Sequence, residues 1–346
     1  MKNKTITFSE KAKDLVPYFI MAAFVLIVQV GSLWLSATEY IASQPPLENP
    51  ESISYSIYYI IILLIFSAFL IFLIKKNKDF VIRAIIYVSI YTTLCYVFIA
   101  ITDKAIGYSY YTLAFSLICA LLLTVLIHKH PEWYVIDISG LLIAIGACAL
   151  VGVSLSYMPI IVMMIGLLIY DFISVYKTKH MLTLAHGMMD LKLPILFVIP
   201  KKWGYSYIKD SFSEDSTKAE AEDTSEMKNA DEAQNTAEAD NVAEAKKNPE
   251  EEEQKTKSDA LFMGLGDAVI PTLLVVSSNH FLEHDGPLSM PSLFAMIGTF
   301  VGFAALMYMV SKGKPQAGLP LLNTGTILGF IIGIIISGTA ISINLI

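Results

Sequence analysis

Long apolar runs are the feature that most limits how this chain can fold. About 20 apolar residues cross the roughly 30 Å hydrocarbon core of a bilayer as one helix. Hydrophobic residues make up 55% of the chain and its mean hydropathy is +0.60, above that of soluble globular proteins. The sequence therefore predicts an all-α polytopic membrane protein of nine transmembrane helices, near 17–36, 55–74, 81–102, 110–127, 134–153, 157–176, 260–280, 290–310 and 320–343.

Lysine and arginine predict the orientation of these helices, because basic loops stay on the cytosolic side of a membrane. The N-terminal segment and the second, fourth, sixth and eighth loops carry basic residues, whereas the loops of the other side hold only Lys104. The first run lacks a small-residue cleavage site and is predicted to be a retained anchor. We expect a cytosolic N-terminus, a C-terminus outside and a location in the cell membrane.

One segment differs in composition from the rest of the chain. Residues 210–259 hold 17 acidic and 6 basic residues, a net charge of −11, with almost nothing large and apolar, whereas the rest of the chain sums to +4. Such a segment cannot bury enough surface to fold alone. Three regions follow: 1–204 with six helices and a first catalytic acid, 205–259 as an acidic disordered cytosolic loop, and 260–346 with three helices and a second catalytic acid.

Two aspartates stand inside apolar runs, Asp171 in the sixth and Asp267 in the seventh. A charge at the centre of a membrane helix costs about 2.5–3.5 kcal/mol, so an intramembrane acid is by default a candidate functional residue. At 1.5 Å per residue, Asp171 lies about 9 Å and Asp267 about 12 Å from the cytosolic surface. Their runs are antiparallel, so the two carboxyl groups can face each other if the helices are neighbours.

A facing pair of carboxyl groups supports a defined chemistry. Repulsion and burial oppose the ionisation of both, so the pair can hold one shared proton. In aspartic proteases the ionised member activates a water and the protonated member polarises the scissile carbonyl. Which of Asp171 and Asp267 acts as base stays open. This chemistry requires no metal or organic cofactor.

The surroundings of the second aspartate fit such a site. Gly264 and Gly266 lack side chains and let another backbone approach, either a packed helix or an unwound substrate. Pro271 favours a kink in the helix that carries Asp267. The segment 315–323 holds two prolines and a glycine, which predicts an irregular backbone that lines the cavity and could pair with an extended substrate.

These residues resemble a family, the intramembrane aspartyl proteases presenilin and signal peptide peptidase, and within it the compact archaeal presenilin homologues. The motifs are Tyr170-Asp171, Gly264-Leu265-Gly266-Asp267 and Pro320-Leu321-Leu322, where Leu321 replaces the family's alanine. The resemblance implies catalysis by the two aspartates and substrate binding by Tyr170, Gly264, Leu265, Gly266, Pro320, Leu321 and Leu322. The predicted topology is that of presenilin, which implies attack on substrates whose N-terminus lies outside.

Other residues have simpler interpretations. The sequence from His280 to His284 matches an inverted zinc-protease motif, but the following Asp285-Gly286-Pro287 breaks the helix that this motif needs. Asp137 is expected to have a hydrogen-bonded or snorkelling structural role. Tyr170 either orients Asp171 or packs. The expected roles of the remaining candidates are interface residues for His128 and His130 and apolar packing for Cys95, Cys119 and Cys148.

The sequence thus predicts an intramembrane-cleaving aspartic endopeptidase. The expected partners are transmembrane segments of substrates and membrane lipid, and not nucleic acid; a homo-oligomer is left open. The alternative is a transporter or channel in which the two acids carry protons or cations.

Overall fold

The computed structural model describes residues 8–43, 49–76, 78–107, 109–173, 196–200, 260–310 and 318–338. Within these ranges the chain forms ten helices and two strands. They are, in chain order, α1 (Phe8–Ser36), α2 (Glu39–Ala42), α3 (Ile53–Lys75), α4 (Asp79–Ile106), α5 (Tyr110–Lys129), α6 (Trp133–Ser154), α7 (Tyr157–Ile173), β1 (Leu196–Pro200), β2 (Ala260–Gly264), α8 (Leu265–Phe281), α9 (Met290–Val310) and α10 (Gly318–Ser337).

Each of the nine apolar runs overlaps one of these helices, and the short α2 lies between the first two runs. Seven helices of the described part, α1, α3, α4, α5, α6, α9 and α10, are long and apolar enough to cross a membrane. The other two, α7 and α8, have 17 residues each, about 26 Å at 1.5 Å per residue. The fold is therefore a mostly helical membrane protein, and the two aspartates lie on its two shorter apolar helices.

Helix α8 lies at the centre of the described part, packed against α1, α6, α7, α9 and α10. All residues from Pro271 to Ser278 are buried, as expected for a helix surrounded by protein on all sides. Side-chain hydrogen bonds tie it to its neighbours, and two of the shortest are donated by Ser277 Oγ to the carbonyl of Leu155 at 2.6 Å and by Ser292 Oγ to that of Val275 at 2.7 Å. Because its environment is fixed from all sides, α8 is a rigid support for Asp267.

Helices α9 and α10 pack most closely of all. A Cβ added to Gly302 would lie 2.5 Å from the carbonyl oxygen of Leu321, and one on Gly325 would collide with the carbonyl of Gly298. The hydroxyls of Thr299 and Thr326 hydrogen-bond across the same interface at 2.9 Å. Small residues thus bring the two backbones into contact, which is the usual basis of helix association in lipid.

The predicted seventh helix is wrong over its first five residues. Ala260–Gly264 forms β2, which pairs antiparallel with β1 in the register Val198 to Phe262, and α8 begins only at Leu265. The reason is tertiary, because β1 offers backbone hydrogen bonds that a lone sequence window cannot reveal. At the edge of β1 that faces away from β2, Asp137 Oδ1 accepts a hydrogen bond from the Val198 N–H at 2.8 Å. This confirms the hydrogen-bonded role expected for Asp137.

The irregular backbone predicted for 315–323 is also wrong over its last six residues. Helix α10 begins at Gly318, so Pro320 lies in its first turn. A proline costs little there, because the first N–H groups of a helix have no partner within it. The first three residues of this strip and the acidic loop 205–259 lie outside the described residues. The three cysteines are free thiols, as the sequence indicated.

Candidate functional site

Asp171 lies near the end of α7 and is only 4% exposed. Its Oδ2 is buried and has no hydrogen-bond partner among the described residues. Buried polar atoms in proteins are nearly all paired, and an exception calls for an explanation such as a catalytic role. The orphaned oxygen is therefore one reason to treat Asp171 as a candidate functional residue.

Asp267 lies in the first turn of α8, three residues after the helix N-cap Gly264. The unpaired N–H groups of a helix N-terminus form a partial positive charge, which favours an acid at this position. Its side chain is only partly buried and lines a cavity. The two aspartates thus differ in access, since one is enclosed and the other meets open space.

The two acids lie within electrostatic reach of each other. Helix α7 packs against α8, and Asp171 is the charged group that acts on the carboxyl of Asp267. The arrangement is therefore a pair of acids on neighbouring helices, with the interior of the protein around one and a cavity beside the other.

The cavity beside Asp267 measures about 160 Å³. Its walls come from four further elements of the fold and are apolar apart from Asp267 and one tyrosine hydroxyl. The lining residues are Tyr18 and Met21 of α1, Leu261, Phe262 and Met263 of β2, Asp267 of α8, Phe303, Leu306 and Met307 of α9, and Leu322 of α10. An apolar chamber with one acid fits an apolar peptide segment better than a hydrated ion.

The predicted glycines differ in their surroundings from glycines that serve packing. Gly266 is exposed, and within the described part of the chain a Cβ added there would meet nothing within 4 Å. A Cβ on Gly264 would lie 3.4 Å from Asp267 Oδ2, while its φ of −62° is open to any residue. Among the described residues, neither glycine is packed against the backbone of a neighbouring helix.

Of the other predicted substrate-binding residues, one lines the cavity and the rest do not. Leu322 is fully buried and shares the cavity with Asp267, which unites the third motif with the second. Pro320 and Leu321 are half-buried on the same helix, and Tyr170 is half-buried beside Asp171. The cavity lining in the described part does not include these three or Leu265, which packs near Gly140.

Sequence reasoning missed the cavity residues of α1, β2 and α9, because contacts between distant helices leave no mark in a single run. A signal for the sheet was present, however. The run Leu196-Phe197-Val198-Ile199, which ends at Pro200, is a short apolar stretch rich in strand-forming residues between the sixth and seventh long apolar runs. Such a run is typical of a strand.

The zinc-protease motif does not assemble. Helix α8 ends at Phe281, so His280 and His284 do not share a helix face, and a nitrogen of His284 lies 2.9 Å from the carbonyl oxygen of Leu282. Among the described residues, no group of three histidine, cysteine, aspartate or glutamate side chains is placed to hold a metal ion.

Comparison with known proteins identifies the family of this chain. The family model described as signal-peptide peptidase, presenilin aspartyl protease matches residues 21–339. The chain belongs to this family. A solved structure of a presenilin family intramembrane aspartate protease in a C222 crystal form is 31% identical, covers 92% of this chain and 99% of its own, and has a TM-score of 0.63.

A structure described in the same words but in a P2 crystal form is also 31% identical, with 91% and 96% covered and a TM-score of 0.59. No curated protein matches the chain. This member of the presenilin and signal peptide peptidase family is thus a hydrolase, an intramembrane aspartate protease with the presenilin fold. Of the two classes that the sequence left open, the family supports the protease and not the transporter.

Proposed function

We propose that this protease cleaves peptide bonds within transmembrane segments by means of a dyad formed by Asp171 and Asp267. The observation that carries the proposal is that the two acids lie on packed neighbouring helices within electrostatic reach, one buried with an orphaned oxygen and one in a cavity. The spacing of the motifs along the chain and the family of the protein support the same pair.

The chemistry follows from a pair that shares one proton. The ionised carboxylate takes a proton from a water, whose oxygen attacks the carbonyl carbon of the substrate, while the protonated carboxyl gives its proton to the carbonyl oxygen. The tetrahedral intermediate then collapses, the C–N bond breaks, and the leaving nitrogen takes up a proton. Asp267 lines the cavity, and Asp171 is buried on the neighbouring helix, where electrostatic interactions are stronger than in water.

A helical substrate must unwind before this chemistry can start. The carbonyls of a transmembrane helix are bonded within the helix, so a water cannot attack them until those bonds open. Strand β2 runs along the cavity and ends three residues before Asp267. We propose that the unwound segment lies extended along β2, which can supply backbone hydrogen bonds to replace those lost, and passes the open space at Gly266.

The proposed topology has nine crossings, with the N-terminus in the cytosol and the C-terminus outside the cell membrane. Seven long helices support it directly, and α7 and α8 complete it as short crossings enclosed by the others. The lysine distribution sets the direction. This orientation implies that the substrates have their N-terminus outside. The exposed apolar faces of the helices are expected to contact membrane lipid.

The dyad is tested with purified protein, a single-span transmembrane peptide and mass spectrometry of the products. Asp171→Ala and Asp267→Ala should each reduce cleavage to background, because either change removes one proton carrier. Asp103→Ala is a matched control, an acid at the far end of α4 that the dyad does not involve. All variants are compared by thermal unfolding in detergent. Cleavage that persists in either dyad variant at more than a few per cent of wild type contradicts the mechanism.

A further inference from the structure

A third acid, Asp137 in the second turn of α6, is buried in the membrane part of the protein and takes no part in the proposed dyad. It is 3% exposed, and its Oδ1 accepts a hydrogen bond from the Val198 N–H at 2.8 Å across 61 residues of sequence. A buried acid is costly unless it is hydrogen-bonded, so this contact is what makes Asp137 tolerable there. Of the two described strands, Asp137 is therefore hydrogen-bonded to β1 and not to β2.

The direction of this hydrogen bond locates Asp137 on the sheet. In an antiparallel pair, each residue directs its N–H and C=O either towards the partner strand or away from it. Val198 faces Phe262 in the register of β1 and β2, yet its N–H goes to Asp137. Asp137 therefore occupies the edge of β1 that faces away from β2 and closes that side of the sheet.

The rest of the same face of α6 supports the contact. Ile136 packs with Val198 in one buried cluster. A Cβ added to Gly140, one turn after Asp137, would lie 3.3 Å from the ring of Phe197, so this glycine makes room for the strand. An apolar contact, a close approach and a hydrogen bond together hold β1 on α6, and the hydrogen bond is the directional one of the three.

The position of β1 is transmitted to the active site through the sheet. Five residue pairs link β1 to β2 in a fixed register, and Gly264 at the end of β2 is also the N-cap of the helix that carries Asp267. Residues Leu261, Phe262 and Met263 of β2 form one wall of the cavity. A shift of β1 along α6 would therefore move both the wall of the cavity and the backbone next to Asp267.

We propose that Asp137 is a positioning residue of the protease, which holds the β1–β2 sheet in register with the aspartate pair and thereby sets which substrate bond meets the dyad. This inference rests on the proposed function and adds a residue to it. The role needs an acceptor oxygen and no negative charge. An asparagine at this position should therefore replace the acid, whereas an alanine or leucine should not.

The experiment compares Asp137→Asn, Asp137→Ala and Asp137→Leu in the full-length protein, with Ser139→Ala as the control. Ser139 is buried two residues away on α6, and in the part of the chain that the structure describes its hydroxyl bonds only to carbonyls of its own helix. Val198→Pro removes the same hydrogen bond from the strand side, at an N–H that β2 does not use, where a proline is tolerated. The readouts are kcat and KM on a transmembrane peptide, the cleavage positions by mass spectrometry, and hydrogen exchange of 196–200 and 260–264.

We expect Asp137→Asn and Ser139→Ala to stay within threefold of wild type with unchanged cleavage positions. Asp137→Ala, Asp137→Leu and Val198→Pro should lower kcat at least tenfold, leave KM within threefold, add products displaced by one or more residues and speed exchange in both strands. Combining Asp137→Ala with Val198→Pro should cost no more than either change alone, since both remove one bond.

Unchanged products and unchanged exchange in Asp137→Ala would overturn the proposal. So would an Asp137→Asn variant that folds with wild-type stability but behaves like Asp137→Ala, because the role would then depend on the charge. Failure of the proposed function gives a different result. In that case the wild-type protein cleaves no transmembrane peptide, while Asp137→Ala still speeds hydrogen exchange in β1 and β2.

Discussion

The α9–α10 interface and the start of α8 are both rich in glycine, but the residue serves opposite purposes in the two regions. At the interface, a Cβ on Gly325 or Gly329 would collide with a backbone carbonyl of α9. At the start of α8, a Cβ on Gly266 would meet no other described residue within 4 Å. The first region uses glycine to bring two helices of the protein together, and the second uses it to leave space beside Asp267 for a backbone that is not its own. Sequence alone cannot separate these two uses of glycine.

The largest expected effect is loss of the fold on filling the interface. Gly325→Ala forces a methyl group against the carbonyl of Gly298, and rigid backbone on both sides cannot give way. Overpacking of this kind costs about 1–3 kcal/mol or more. The variant should unfold at a clearly lower temperature in detergent, and activity should fall in proportion to the folded fraction. A variant as stable as wild type would show that α9 and α10 can separate freely.

The opposite result is expected at Gly266. Its φ is not positive and its surroundings are open, so Gly266→Ala should leave the protein equally stable or about 0.5–1 kcal/mol more stable, as alanine in a helix usually does. Cleavage of a transmembrane peptide should nevertheless fall about tenfold to a hundredfold, because the methyl occupies the substrate's path. Thermal unfolding tests the predicted stability, and kcat/KM measured on the same preparation tests the predicted loss of activity. Full activity in this variant would show that the glycine at the start of α8 does not keep space for a substrate.

A smaller effect is expected at Gly264, which lies between the two extremes. An alanine there places its Cβ 3.4 Å from Asp267 Oδ2, an ordinary contact that strains nothing. The methyl would displace water from the carboxylate, so we expect kcat to fall by about tenfold, or about 1.4 kcal/mol in the activation barrier. KM and the unfolding temperature should stay near the wild-type values. A rise in KM with unchanged kcat would indicate that Gly264 serves substrate binding instead.

The smallest effect is expected at Leu321, the position where this chain departs from the family it resembles. Leu321 is half-buried on α10 and does not line the cavity, whereas Leu322 does. Leu321→Ala should therefore change kcat/KM by less than threefold, and Leu322→Ala, which enlarges the cavity beside Asp267, should change it more. Peptides with larger side chains near the cleavage site provide the comparison. A larger effect at Leu321 would place it on the substrate path.

Sequence analysis was strongest where a long local pattern decided the structure. Nine apolar runs predicted nine helices, because about 20 apolar residues leave a chain in lipid no alternative to internal hydrogen bonding. It was weakest where a contact between distant segments or a helix terminus decides the structure. Ala260–Gly264 forms a strand and not a helix, because it pairs with β1. Gly318–Asn323 is helical and not irregular, because the first turn of α10 tolerates a proline.

The sequence by itself determined that the chain is a helical membrane protein with two acids in its apolar runs, since hydrophobic length and the cost of a buried charge are local properties. Only the tertiary structure decided that Gly266 borders open space, that Leu322 shares a cavity with Asp267, and that Asp137 holds a strand 61 residues away. Contacts between distant segments depend on how helices pack, and a helix of given composition can present the same face to lipid, to protein or to a cavity.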